Sequence, residues 1–203
     1  MHLIMNLHTK IIRINSLISG ENIARRVASN IAWSVVSEIV GKGILFLVMI
    51  YLARSLGVEK FGILSFSQVL ASFFWYGVDL GINMYGSGEI AKTRRAAGDL
   101  VSILLSLRIL SALMMFLLFA GISVVFSTHA AQRTVFLATS LYLVTRALNV
   151  DWALRGFEGF KFIAIGNFAT FLSMLGLTVI FVNSEQDVVK AALIWSLCYL
   201  IGS

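Results

Sequence analysis

At 203 residues, 59% hydrophobic and with a mean hydropathy of +0.90, the chain is too apolar for an ordinary globular domain, whose apolar share is nearer ~45–50%. Charged residues make up 13% and cluster between apolar runs, the pattern of a helical integral membrane protein; the runs lack the alternation of a transmembrane β-barrel. The formal charge of +6 fits positive-inside topology and anionic lipid heads, not nucleic acid. One cysteine, Cys198, makes no intrachain disulfide, and no CxxC or histidine cluster suggests a metal or cofactor.

Residues 1–20 are too interrupted for a secretory signal and read as a cytoplasmic tail, and Glu21 to Asn30 as an amphipathic lead-in at the membrane surface. Positions 1–29 thus form a leading segment and 30–203 a membrane domain. Six apolar runs follow, at about 31–53, 62–84, 100–126, 134–154, 162–182 and 188–203. The sixth is shorter than the ~20 residues a span needs, and reads as a truncated product or a fragment of a longer protein. With no proline anywhere, any break must come from glycine or polar residues. Lys10, Arg13, Arg25, Arg26, Lys92, Arg94, Arg95, Arg155 and Lys161 fall on one side and fewer basic residues on the other. That places the N-terminus in the cytoplasm.

Polar residues inside spans are costly unless they meet a partner or water. Here they form stripes at helical spacing: Ser34, Glu38 and Lys42 in the first span; Ser65, Gln68, Ser72, Asp79 and Asn83 in the second; Thr139, Tyr142, Arg146 and Asn149 in the fourth. The third offers Arg108 and Ser111, and the fifth Asn167, Thr170 and Ser173. Hydroxyl stripes also serve as packing glue between helices, and Glu38 with Lys42 also makes a self-neutralising i,i+4 pair. Trp33, Tyr51 and Trp152, near span ends, read as interface anchors. Arg108 and Arg146 sit about 12 Å deep in the inner half of the bilayer, where two guanidiniums at one level suit phosphate. A buried pairing with Asp79 or Asp151 is the competing account. Together the stripes imply a hydrated, net basic cavity open towards the cytoplasm.

The strings I-Y-L-A-R-S-L-G-V-E-K-F-G (50–62), D-L-G-I-N (79–83) and G-S-G-E-I-A-K-T-R (86–94), in that order relative to the spans, resemble the polysaccharide flippases. These are the O-antigen and lipid-linked-oligosaccharide translocases of the multidrug/oligosaccharidyl-lipid/polysaccharide exporter superfamily. The resemblance implies an all-α membrane protein with about six transmembrane helices. They would form one lobe of a two-lobe transporter, cut short in the sixth helix and lacking its C-terminal partner lobe. It also implies flipping of undecaprenyl-diphosphate-linked oligosaccharides across the bacterial inner membrane for surface polysaccharide. Membrane lipids and the polysaccharide polymerase and assembly proteins are the implied partners. Arg108, Arg146 and then Lys42 are the candidate contacts for the anionic head. Glu38, Asp79 and Asp151 are candidate ion-coupling groups or charge partners. Gly57 and Gly62 fit a tight reversal, with Arg54 tying the first two helices together. The alternatives are an ion-coupled multidrug exporter of the same superfamily and a non-transporting membrane component. A membrane enzyme is weakest, because no nucleophile–base set stands in the loops.

Overall fold

A computed structural model describes residues 2–92, 97–126 and 129–202, with their side chains except those of 2–24, 26 and 126. Arg94 and Arg95, and the side chains of Lys10, Arg13 and Arg26, all counted for orientation, lie outside the described residues. The elements are α1 (His2–Asp79), α2 (Ile82–Lys92), α3 (Ala97–Phe126), α4 (Ala130–Ala147), α5 (Asp151–Gly156), α6 (Phe160–Phe181), a 3₁₀ turn (Glu185–Asp187) and α7 (Val188–Cys198). Three helical stretches are long and apolar enough to cross a membrane: Val27–Asp79, Ala97–Val125 and Phe160–Phe181. The chain is an all-α membrane protein.

α1 is two helices joined at Gly57, whose φ of 70° and ψ of 170° suit glycine alone. Glu38 and Trp75, on either side of this joint, line the same cavity, and Leu45 and Gln68 line a smaller one nearer the joint. On a straight helix the first pair would stand ~55 Å apart. The two arms therefore fold back on each other with Gly57 at the tip.

The first arm runs parallel to α6 at a near-constant offset: Ser37 meets Asn167, Gly41 meets Phe171, and Tyr51 meets Val182. The second arm runs parallel to α4, with Phe66 against Phe136 and Ser67 against Thr139. α3 is antiparallel to α4, joining Phe119 to Phe136 at one end and Arg108 to Asn149 at the other. α7 follows α4, with Ser196 on Ala138 and Gly202 beside Asn149. Six rods thus alternate in direction around a common core.

The Gly57 end is sealed. Leu52, Leu56, Leu64, Val135, Val182 and Val188 pack there as one buried cluster. The Tyr51 hydroxyl donates to the Val182 carbonyl at 2.9 Å, tying the first arm to the end of α6. Glu185 lies over Gly57, where an added Cβ would come within 3.0 Å of its carboxylate oxygen. Asp187 accepts from the Asn183 and Ser184 N–H groups and from the Ser184 hydroxyl, and pairs with Lys190 at 2.7 Å. The Lys190 ammonium and those donors hold its carboxyl down to about 2.

Several sequence expectations change. The second run, placed at 62–84, stops at Asp79, because Leu80 and Gly81 adopt φ of 44° and 79° before α2 begins. The fourth, placed at 134–154, stops at Ala147, and α5 is a separate short helix. Asn149 explains this second break: its side-chain oxygen accepts the Asp151 N–H at 2.8 Å, a local turn that competes with continued helix. The lead-in at 21–30 continues without interruption into the first arm. Trp152 is not an interface anchor; it is 0% exposed, lying on Gly86, where an added Cβ would stand 2.5 Å from the indole. Tyr51 is a tie between helices. Gly62 lies within a helix and faces open space, so it takes no part in the reversal. Arg54 is exposed and has no ion pair or hydrogen bond among the described residues, so Tyr51 makes the tie expected of it.

Candidate functional site

At the end of the bundle away from Gly57, polar residues predicted on five spans and the break after α4 line a cavity of ≈ 400 Å³. Arg108, Arg146, Arg155, Glu38, Asp151, Asn83, Asn149 and Asn167 line it, with Trp75, Phe171 and Tyr199 as aromatic walls.

Arg108 is 3% exposed. Its Nη2 lies 3.4 Å from an Asp79 oxygen, and its Nη1 donates to the Asn149 carbonyl at 3.1 Å. That carbonyl has no onward helical partner because α4 ends before it, so the guanidinium supplies the missing donor. Asn83 donates to the same Asp79 oxygen and steadies it across the Leu80–Gly81 turn. Arg108 Nε has no partner among the described residues. Arg108 is thus a latch joining the second arm, α3 and the α4–α5 break.

Arg146 is held differently. Its guanidinium lies 4.9 Å from the Trp75 ring centre, 5.3 Å from that of Tyr199 and 5.4 Å from that of Tyr142, and donates to the Tyr142 hydroxyl. Tyr142 stacks on Trp195 at 4.3 Å and meets Tyr199 edge-on at 5.0 Å. Contacts of this kind contribute roughly 0.5–2 kcal/mol each, so rings from the second arm, α4 and α7 hold the cation without neutralising it. Among the described residues no carboxylate stands within ion-pair distance of Arg146. It remains half-exposed to the cavity.

The two arginines are neighbours, since Arg108 lies 4.8 Å from the same Trp75 ring. Arg146, though, sits in the last turn of α4, not well inside a longer span. Lys42 pairs with Glu38 at 2.9 Å, their side chains 74% and 64% exposed, and of the two only Glu38 lines the cavity. The structure does not bring Lys42 to the arginines. Asp79 is taken by Arg108, while Asp151 lines the cavity at the start of α5. Among the described residues no His, Cys, Asp and Glu cluster could hold a metal ion.

Sequence reading missed Arg155, which had counted only towards orientation. It also missed Trp75 and Tyr199, which carry no charge to mark them. A tryptophan three positions after Ser72 on the polar stripe was the available signal. Further up the same stripes hydroxyls act as glue: Ser67, not Ser65, meets Thr139 at 2.9 Å, and Ser196 donates to the Ala138 carbonyl at 3.0 Å.

A family model described as "Polysaccharide biosynthesis protein" matches residues 27–203. A protein of Escherichia coli (strain K12) named "Putative O-antigen transporter" is 25% identical over 155 residues, 75% of this chain and 37% of that protein. The chain thus spans well under half of that relative's length. No solved structure matches it. The family match covers the helices that build the arginine cavity, and the chain belongs to the polysaccharide biosynthesis protein family, that of the polysaccharide and O-antigen flippases.

Proposed function

We propose that this chain supplies the anion-holding wall of a flippase that carries undecaprenyl-diphosphate-linked oligosaccharide from the cytoplasmic to the periplasmic leaflet of the bacterial inner membrane. The observation that carries the reading is Arg146: a guanidinium facing a cavity, fixed by three rings and, among the described residues, within ion-pair distance of no carboxylate. A permanently charged, planar donor held in this way suits a diphosphate, which it can grip with two parallel hydrogen bonds. Arg155 adds a second exposed cation at the rim, and Arg108 a further N–H. Two of the acidic groups that a cationic drug would need are engaged, Glu38 with Lys42 and Asp79 with Arg108, and the third, Asp151, shares the cavity with three arginines. That favours an anionic cargo over the multidrug reading.

The cavity lies at the end carrying Arg25, Lys92, Arg155 and Lys161, whereas Glu59, Glu185 and Asp187 offset Arg54, Lys60, Arg133 and Lys190 at the Gly57 end. This distribution supports a cytoplasmic N-terminus and a cavity loaded from the cytoplasm. A second lobe would complete the path, and the polymerase and assembly proteins would take up the product.

The test is surface polysaccharide made by cells that depend on the protein. Arg146→Ala is expected to cut production severely at an unchanged membrane level of protein, with Arg146→Lys restoring part of it and Arg146→Asp none. Wild-type production by the alanine variant would refute the reading.

A further inference from the structure

Beside the arginine cavity, the parallel pair formed by the first arm of α1 and α6 leaves two hollows along its length. One, of ≈ 290 Å³, lies between Trp33, Val36 and Val40 on the arm and Ala164, Ile165 and Phe168 on α6. The next, of ≈ 480 Å³, continues outward to Val27, Ile31 and Phe160. Together they follow the arm from Val27 to Gly41, ~21 Å of helix. Both are walled mainly by apolar side chains.

The slot and the cavity share a wall. Phe171 lines the cavity and packs directly on Gly41, where an added Cβ would come within 2.6 Å of its ring, and Gly41 lines the slot. One turn away Asn167, a cavity residue, donates to the hydroxyl of Ser37, a slot residue, at 3.4 Å. Polarity changes across this wall: three guanidiniums, with the carboxylates of Glu38 and Asp151, stand on the cavity side, and mainly apolar side chains on the other.

Resting on the anionic-cargo reading of the cavity, we propose that the α1–α6 slot is the binding site for the isoprenoid chain of the lipid carrier. The anionic head would lie among the arginines while the tail leaves past Phe171 along the first arm. Charge sets the direction, because the arginines attract an anionic head and the slot, walled mainly by apolar side chains, does not. A branched apolar chain removed from water or from looser lipid packing gains contacts on both helices. The slot also accounts for apolar side chains that stay exposed on the arm beside α6, Val36 being 54% exposed.

A photoreactive diazirine analogue of leucine placed at Val36 or Ile165 tests this, with the protein in phosphatidylglycerol vesicles and tritiated undecaprenyl diphosphate as the probe. Leu110, exposed on α3 two residues from Arg108, is the control position. Labelling at Val36 and Ile165 is expected to exceed that at Leu110 several-fold and to resist excess phosphatidylglycerol. Equal labelling at all three positions, or its loss to phosphatidylglycerol, overturns the slot. Undecaprenol, which lacks the diphosphate, separates this from the head reading. Several-fold enrichment with undecaprenol in both the wild-type protein and Arg146→Ala sustains the slot whatever Arg146 does. No enrichment with either probe, alongside failed polysaccharide production by Arg146→Ala, sinks the slot and spares the cavity.

Discussion

The two ends of the bundle use polar residues in opposite ways. At the Gly57 end polar side chains close backbone valences or meet an adjacent charge: Tyr51 on Val182, Asp187 on the turn before α7, Lys190 on Asp187. Little charge there faces inward, and the core is a plain aliphatic cluster. At the other end helices are broken, two arginines converge on one indole, and a cavity is kept open. The first arrangement suits a cap and the second a holding site, although both are built from the same six rods. Within the second, Arg108 and Arg146 differ again: one is buried and paired, the other caged by rings and half-exposed.

The contrast is sharpest at Asp79. Replacing it with alanine leaves the Arg108 guanidinium buried without its counter-charge, a change that costs about 3–5 kcal/mol in comparable sites. Arg108→Met alone should cost less, and Asp79→Asn with Arg108→Met should recover most of the loss. Cys198, the single cysteine and buried, reports the unfolding through its reactivity towards maleimide in detergent. If Asp79→Ala is neutral, the latch does not exist and both arginines belong to the same class.

At the capped end the largest effect falls on Gly57. Alanine there must adopt a backbone conformation costing roughly 1–3 kcal/mol and must also displace Glu185. Cysteine protection should fall accordingly, and polysaccharide output only as far as folded protein does. Tyr51→Phe removes one helix-to-helix hydrogen bond and should cost about 0.5–1.5 kcal/mol by the same assay.

The smallest effect belongs to Asp187. Its carboxyl is held below the ordinary range, so its contribution is present above about pH 4 and disappears as pH falls through about 2. The stability gap between wild type and Asp187→Asn should therefore close on acidification across that interval. A gap independent of pH would mean that Asp187 acts there by shape and not by charge.

The all-helical membrane character and the tip of the hairpin were legible because apolar runs of ~20 residues and a glycine after a polar turn have few other uses. The breaks after Asp79 and Ala147 were not, since hydrophobic residues run straight across both. What ends α4 is a single side-chain oxygen, that of Asn149, whose choice of partner no composition reveals. The closeness of Arg108 and Arg146 followed from counting along two spans, even though the end assumed for the fourth span was seven residues too far along the chain. Which carboxylate claims which arginine did not follow, because Asp79 and Asp151 are both near in sequence terms and only packing selects between them. Trp152 was misread for a related reason: the gap that accepts it is made by Gly86, on a helix far back in the chain.

Trp75 carries both guanidiniums, so their centres lie no more than ~10 Å apart, and two like charges at that distance repel by roughly 1–2 kcal/mol at an effective dielectric constant of ~20. Asp79 offsets the charge of Arg108, while Arg146 faces the cavity with its own. The indole therefore works as a shared seat that holds one balanced and one open cation within a fixed distance of each other.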